Sequence, residues 1–208
     1  MSVIHLILTR SSYAPNALAF ATAFTASVTF LLGLIVVIRG RVTLASALFC
    51  AMSASAAGWL GTFALMYSSR TAEVAIVWAR AGHLMASLVP AAAFHFAAVY
   101  TNNRRQLRGW TALCWFFCTT VGLLGGATPL LIPIVHRYTW GWYARGPLYN
   151  FVWAAGFGVI VIAAMRLFWR THRNAEGEER ERAGLILIAF ALGILAVVDV
   201  FPSIGIDM

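Results

Sequence analysis

The chain contains no lysine, although it has 208 residues and 15 basic side chains, all of them arginine. Without lysine no Schiff base to retinal can form, so a retinal-binding protein of the rhodopsin type is excluded. Acidic residues are scarce too, and charged residues make up only 11% of the chain. So little charge cannot keep a soluble domain of this size dispersed, which predicts a membrane protein.

Cysteine and histidine are also few, and they are scattered. Cys50, Cys114 and Cys118 all fall in apolar stretches, where we expect small core side chains rather than disulfides. His83 and His95 are too far apart on one helix to share a metal ion, and the other histidines lie outside the apolar stretches. The sequence therefore predicts no metal site, no haem or other cofactor, and no catalytic residues.

Long apolar stretches dominate what is present: 61% of the residues are hydrophobic and the mean hydropathy is +0.81. A spanning helix needs about 20 apolar residues. The pattern predicts an all-α polytopic membrane helix bundle, with residues 1–208 forming a single transmembrane domain. The six predicted spans cover about 16–38, 42–67, 74–100, 110–128, 148–169 and 183–201.

The arginines alternate between the connections. Connections one, three and five are rich in arginine, whereas connections two and four have fewer for their length. Arginine-rich loops stay in the cytoplasm, so the N-terminus and the 129–147 loop are predicted to lie outside. The arginines therefore set the topology of the chain in the lipid bilayer. They account for the net charge of +8, which requires no nucleic-acid partner.

The third predicted span carries polar residues on one face. Arg80, His83 and Ser87 follow a spacing of three and four, which aligns them along a helix. A charged side chain in hydrocarbon costs at least about 2.5–3.5 kcal/mol, so a partner or a wet cavity is expected. The face is either a ligand pocket or a structural network, and Asp199, at similar depth in the sixth span, is a candidate partner of Arg80.

The fourth connection is rich in aromatic residues. Trp140, Trp142, Tyr143 and Arg145 lie there, together with the turn-forming Gly141 and Gly146. Such residues either anchor a protein at the membrane interface or form a lid over a small amphipathic or anionic ligand. Glycine supplies tight backbone bends, so we expect an ordered loop folded onto the bundle, with Trp140 or Trp142 packed against the helices.

Several short runs resemble the seven-helix N-terminal transmembrane sensor region of bacterial histidine kinases and related diguanylate cyclases. The runs are Trp140–Tyr149, Phe94–Thr101, Glu179–Arg182 and Asp199–Gly205. The resemblance covers about residues 16–208 and implies signal reception in the bacterial inner (cytoplasmic) membrane. It departs in one respect, because only six helices are present. A seventh helix and a cytoplasmic output domain are expected to follow.

The sequence therefore predicts a signal-input domain that senses a small amphipathic ligand or the state of the membrane. Small-residue pairs such as Gly122 and Gly126 predict close helix packing and leave a homodimer open. The alternatives are a non-catalytic structural subunit of a larger membrane complex and a small transporter. A transporter would show paired broken helices at mid-membrane, and Pro90 is the one candidate break.

Overall fold

The computed structural model describes residues 3–195 and residue 202. It is a helix bundle, as the apolar stretches predict. The helices are α1 (Val3–Leu8), α2 (Ala17–Arg39), α3 (Leu44–Ser68), α4 (Ala72–Tyr100), α5 (Arg108–Ala127), α6 (Pro147–Val152), α7 (Gly158–Asn174) and α8 (Gly177–Leu195), with a 3-10 turn at Arg10–Ser12 and a π-helical turn at Trp153–Phe157.

Five helical segments in the described part are long and apolar enough to cross a membrane: α2, α3, α4, α5 and the combined segment Asn150–Asn174. Helices α2 to α5 match the predicted spans to within two residues at every end. The fifth predicted span is interrupted by the π-helical turn. The sixth begins earlier than predicted, at Gly177, and its predicted end at residue 201 lies outside the described residues.

Helix α4 forms the centre of the bundle. In its most apolar window 67% of the residues are buried, whereas the figure for α2 is 11%. Helix α4 packs against α3, α5, α7 and the hairpin described below. It is the helix with the row of small residues Ala91–Ala93, all almost fully buried. Small side chains let neighbouring helices approach closely in lipid, where no hydrophobic effect drives helices together.

The glycine pair of α5 also faces α4. A Cβ on Gly122 would lie 3.1–3.3 Å from Leu84 and Ser87, and one on Gly126 would lie 3.2 Å from Leu84. The predicted close packing is thus observed, and it occurs within the chain. This pair therefore supplies a helix contact inside the bundle rather than a surface for a second copy.

The fourth connection contains a β-hairpin, which the helical pattern did not reveal. Strand β1 (Ile134–Tyr138) pairs antiparallel with β2 (Gly141–Arg145), with Tyr138 opposite Gly141. The hairpin lies near the start of α2 and the turn between α3 and α4. We call this the hairpin end of the bundle. The opposite end carries the arginine-rich connections and is called the arginine-rich end.

Candidate functional site

The hairpin contacts the bundle closely at one glycine. Gly141 has a φ of +147°, which side-chain-bearing residues rarely adopt. A Cβ there would lie 3.1–3.2 Å from the backbone of Tyr67, at the end of α3. Glycine is therefore required both by this backbone angle and by the short distance to Tyr67. The hairpin tip can therefore rest directly on the α3 backbone.

Polar contacts hold the tip in place. The Asn16 side chain donates through Nδ2 to the carbonyl oxygens of Trp140 (2.8 Å) and Tyr67 (3.1 Å). Its Oδ1 accepts from the Ala19 amide and caps α2. Trp142 donates through Nε1 to the Ser69 carbonyl oxygen, at 2.9 Å. One asparagine thus joins the start of α2, the end of α3 and the hairpin.

The tryptophans pack on the bundle, as the glycine positions predicted. The ring of Trp140 meets Tyr67 edge-on, with centroids 5.7 Å apart. It also stacks on Tyr138 at 5.0 Å. Trp140 and Trp142 both pack against the buried core. The loop is ordered and folded inward, so these side chains serve the fold and do not project from it as free anchors.

An arginine–tyrosine contact joins the two strands of the hairpin. The Arg145 guanidinium donates to the Tyr138 hydroxyl from Nε (3.3 Å) and Nη2 (3.1 Å). The same hydroxyl donates to the carbonyl oxygen of Pro202, at 2.5 Å. Pro202 follows α8 in the chain. Tyr138 therefore connects the hairpin to Pro202. Asp199, the candidate partner of Arg80, lies outside the described residues.

The predicted polar face of α4 points into the bundle. His83 is buried and Ser87 is completely buried, while Arg80 is partly buried. His83 donates through Nδ1 to the Ala79 carbonyl oxygen (2.6 Å), and Ser87 donates to the His83 carbonyl oxygen (2.7 Å). Two of the three polar side chains thus bond to their own helix, which offsets their burial in an apolar environment.

Arg80 has a partner that sequence reasoning did not identify. Its Nε and Nη2 both donate to the Ile132 carbonyl oxygen, at 3.2 and 3.1 Å. Ile132 is buried and lies two residues before β1. The arginine therefore holds the segment that leads into the hairpin. Glu73, seven residues before Arg80 in the same helix, is exposed.

Aromatic rings connect the hairpin to this polar face. Tyr143 lies 5.9 Å from Trp140 and 5.8 Å from Phe63, measured between ring centroids. Phe63 lies 5.3 Å from the ring of His83. Tyr143 and Phe63 are almost fully buried. Close-packed rings thus form a continuous path from the hairpin to the centre of α4.

An open groove of about 440 Å³ lies at the hairpin end. Of the predicted site residues, Trp142 lines it, whereas Arg80, His83 and Ser87 lie deeper in the bundle and do not. The predicted residues therefore do not line one common cavity, because Trp140, Tyr143 and Arg145 are also absent from the lining of the groove. The groove is lined by Ala14, Pro15, Asn16, Tyr67, Ser68, Ser69, Arg70, Arg137, Tyr138, Thr139, Gly141 and Trp142.

Sequence reasoning missed Asn16 and Tyr138 as organising residues. A signal for Asn16 was present, since asparagine directly before an apolar run is typical of a helix N-cap. Its two bonds to residues 51 and 124 positions away were not foreseeable. For the metal question, the described residues contain no group of three His, Cys, Asp or Glu side chains that could hold an ion.

Comparison with known proteins identifies the family. The model of the N-terminal seven-transmembrane region of histidine kinases matches residues 21–208. The chain belongs to this family. Neither curated proteins nor solved structures give a match. The resemblance drawn from the short sequence runs is confirmed. The prediction of a multi-pass membrane protein is confirmed as well, and the matched region is a non-catalytic input domain.

Proposed function

We propose that this histidine-kinase N-terminal region receives a signal at its hairpin end and passes it to a cytoplasmic output. The signal is a small amphipathic ligand or a change in the state of the membrane. The observation that carries the proposal is the packed aromatic path from Trp140 through Tyr143 and Phe63 to His83. Trp140 stacks on Tyr138, which lines the surface groove, so the path reaches from the groove to the central helix of a domain whose family precedes kinases.

A second aromatic cluster supports transmission at the arginine-rich end. Phe168 of α7 lies 5.9 Å from Phe96 and 5.6 Å from Tyr100, both in α4. The same phenylalanine lies 5.5 Å from Phe190 of α8. A shift of α4 would therefore displace α7 and α8 together, because densely packed rings cannot be compressed. Helix α8 begins at this end of the bundle, which the proposed orientation puts on the cytoplasmic side.

The arginine distribution supports one orientation in the bacterial inner membrane. Arg104, Arg105 and Arg108 lie at the end opposite the hairpin. The last turn of α7 and the start of α8 bring further arginines to this end, namely Arg173, Arg180 and Arg182. Arginine-rich loops remain in the cytoplasm. We therefore place the N-terminus and the hairpin outside, where the groove faces the external medium.

Single-cysteine labelling tests this orientation. In a background without Cys50, Cys114 and Cys118, we expect a cysteine at Thr139 to react with a membrane-impermeant maleimide in intact cells. A cysteine at Gln106 should react only after permeabilisation, because it lies at the arginine-rich end. Both positions are exposed, so a difference reports sidedness and not burial. The reverse pattern would invert the proposed orientation.

A distance measurement across the arginine-rich end tests the sensor proposal. A sensor needs two states of different affinity for its signal. Spin labels at Gln106 and Glu181, both exposed, should give two populations of distances in lipid nanodiscs. The Trp140→Ala change truncates the aromatic path at the hairpin and should alter the ratio of the two populations. Trp110→Ala is the control, because Trp110 is 62% exposed and outside the path.

The structural-subunit alternative predicts a different result. A scaffold needs one rigid arrangement and no response at the far end of the bundle. A single distance population, unchanged by Trp140→Ala, would support that alternative and contradict the sensor proposal.

A further inference from the structure

The groove at the hairpin end has a strongly positive lining. Arg70 and Arg137 both line it, and both are exposed. The start of α2 lies at its edge, since Pro15 and Asn16 line the groove and the helix begins at Ala17. A helix N-terminus carries about half a positive charge. Three positive features thus come together at one cavity.

The two arginines have unused bonding capacity within the described residues. Arg70 donates through Nε to the Tyr13 carbonyl oxygen at 3.1 Å, and neither terminal nitrogen has a protein partner there. The Arg137 guanidinium lies over the ring of Trp142, 5.6 Å from its centroid, with no hydrogen bond to a side chain in the described part. Each group can still donate two or more hydrogen bonds to a planar oxyanion.

Among the residues that the structure describes, no acid balances these charges in the groove. Its lining contains no Asp or Glu. Glu73, the acid nearest in sequence, is exposed and outside the lining. Within residues 3–195 and 202, the one ion pair joins Glu178 and Arg182 at the opposite end of the bundle. Two cations without a carboxylate partner repel each other, which an anion between them would relieve.

The remaining wall supplies an apolar surface. Trp142 is held in place by its bond to Ser69, and the Tyr138 ring is stacked on Trp140. A flat apolar body can lie on the fixed ring of Trp142 with little loss of side-chain freedom.

We propose that this groove is a binding site for an oxyanion, a carboxylate or phosphate, attached to an apolar body. The acid group is held by Arg70 and Arg137, and the apolar part contacts Trp142. The inference rests on the proposed function and deepens it by naming the chemical class of the signal. Such a ligand could be a free organic acid or a lipid with an anionic headgroup, and both present the same chemistry.

The test uses fluorine NMR on the full chain in zwitterionic nanodiscs. The probe is 4-(trifluoromethyl)benzoate, and its uncharged match is 4-(trifluoromethyl)benzamide. We expect saturable line broadening for the benzoate and much weaker binding for the benzamide. Arg137→Gln should weaken benzoate binding about tenfold or more, because one charged hydrogen-bond donor pair is removed. Arg137→Lys should retain part of the affinity, because it keeps the charge.

Arg10→Gln is the matched control. Arg10 is exposed and precedes α2, outside the groove lining, and its removal changes the net charge equally. Benzoate binding should be unchanged in this variant. Circular dichroism and size-exclusion chromatography check that each variant is folded. Equal benzoate affinity in wild type, Arg137→Gln and Arg70→Gln would overturn the proposal, as would equal binding of benzoate and benzamide.

Native mass spectrometry separates the two sources of the anion. If phosphatidylglycerol stays bound to the wild-type chain and is lost in Arg137→Gln, the oxyanion is a lipid headgroup. If benzoate binds through Arg137 while the lipid is not retained, the ligand is a free acid. Both results support the oxyanion site. If the benzoate test fails while the spin labels still show two populations of distances, only the ligand class is refuted. The distance measurement needs no ligand, so the proposed function would stand.

Discussion

Gly82→Ala should be among the most destabilising single-methyl changes in this protein. A Cβ at position 82 would lie 2.7 Å from two ring carbons of Phe63 and from Oγ1 of Thr62. Phe63 is 2% exposed and enclosed by other rings, so it cannot move aside. Overpacking of this kind costs about 1–3 kcal/mol. We expect a clear fall in the thermal unfolding temperature in nanodiscs, because α3 and α4 must separate.

Gly61→Ala is the matched control for this change. Gly61 lies in α3, and a Cβ there would meet no atom within 4 Å. Its unfolding temperature should stay the same or rise slightly, since alanine favours the helix by about 0.5–1 kcal/mol over glycine. Phe63→Leu should partly rescue Gly82→Ala, because the smaller side chain relieves the clash. Equal behaviour of the two alanine variants would contradict the packing of α3 on α4.

Arg80→Ala should release the hairpin while leaving the protein inserted in the membrane. The change removes both donors to the Ile132 carbonyl oxygen, and a buried acceptor without a donor costs about 1–3 kcal/mol. Helix α4 becomes more apolar, so insertion is not impaired. We expect amide hydrogen exchange in residues 134–145 to increase roughly tenfold or more. If the proposed function is correct, signalling should fail as well.

Two comparisons make this measurement specific. Arg41→Ala removes an exposed arginine at the other end of the bundle and should leave hairpin exchange unchanged. Arg80→Lys keeps the charge but provides a single donor group, so its effect should be intermediate. Unchanged exchange in Arg80→Ala would show that the hairpin is held by Asn16 and Trp142 alone.

Much of the bundle was predictable because the membrane imposes simple rules. Lipid offers no hydrogen bonds, so every spanning segment must be helical and apolar along its length. This is why the predicted spans of α2 to α5 agree with the structure. The same regularity placed Arg80, His83 and Ser87 on one interior face, since helical spacing alone aligns them. The glycines of the fourth connection correctly predicted a loop folded onto the helices.

The hairpin itself was not predictable from the same rules. Ile134–Tyr138 pairs with Gly141–Arg145 through a tight turn. The aromatic residues around this turn are equally typical of a membrane anchor. The pattern of apolar residues could not separate these possibilities. Only the contacts of Trp140 and Trp142 with α3 and its end resolve them in favour of a packed hairpin.

By itself the sequence determined the membrane class, the positions of the long helices, the inward polar face of α4 and the family, because these depend on local composition and spacing. The tertiary structure decided which groups meet. It brought Asn16 to Trp140 and Arg80 to Ile132, and it placed Arg70 and Arg137 around one groove. The two hydrogen-bonded pairs lie 124 and 52 residues apart in the chain, respectively. Local spacing carries no information about contacts between groups so distant in the chain, because they form only when the helices and the hairpin pack together.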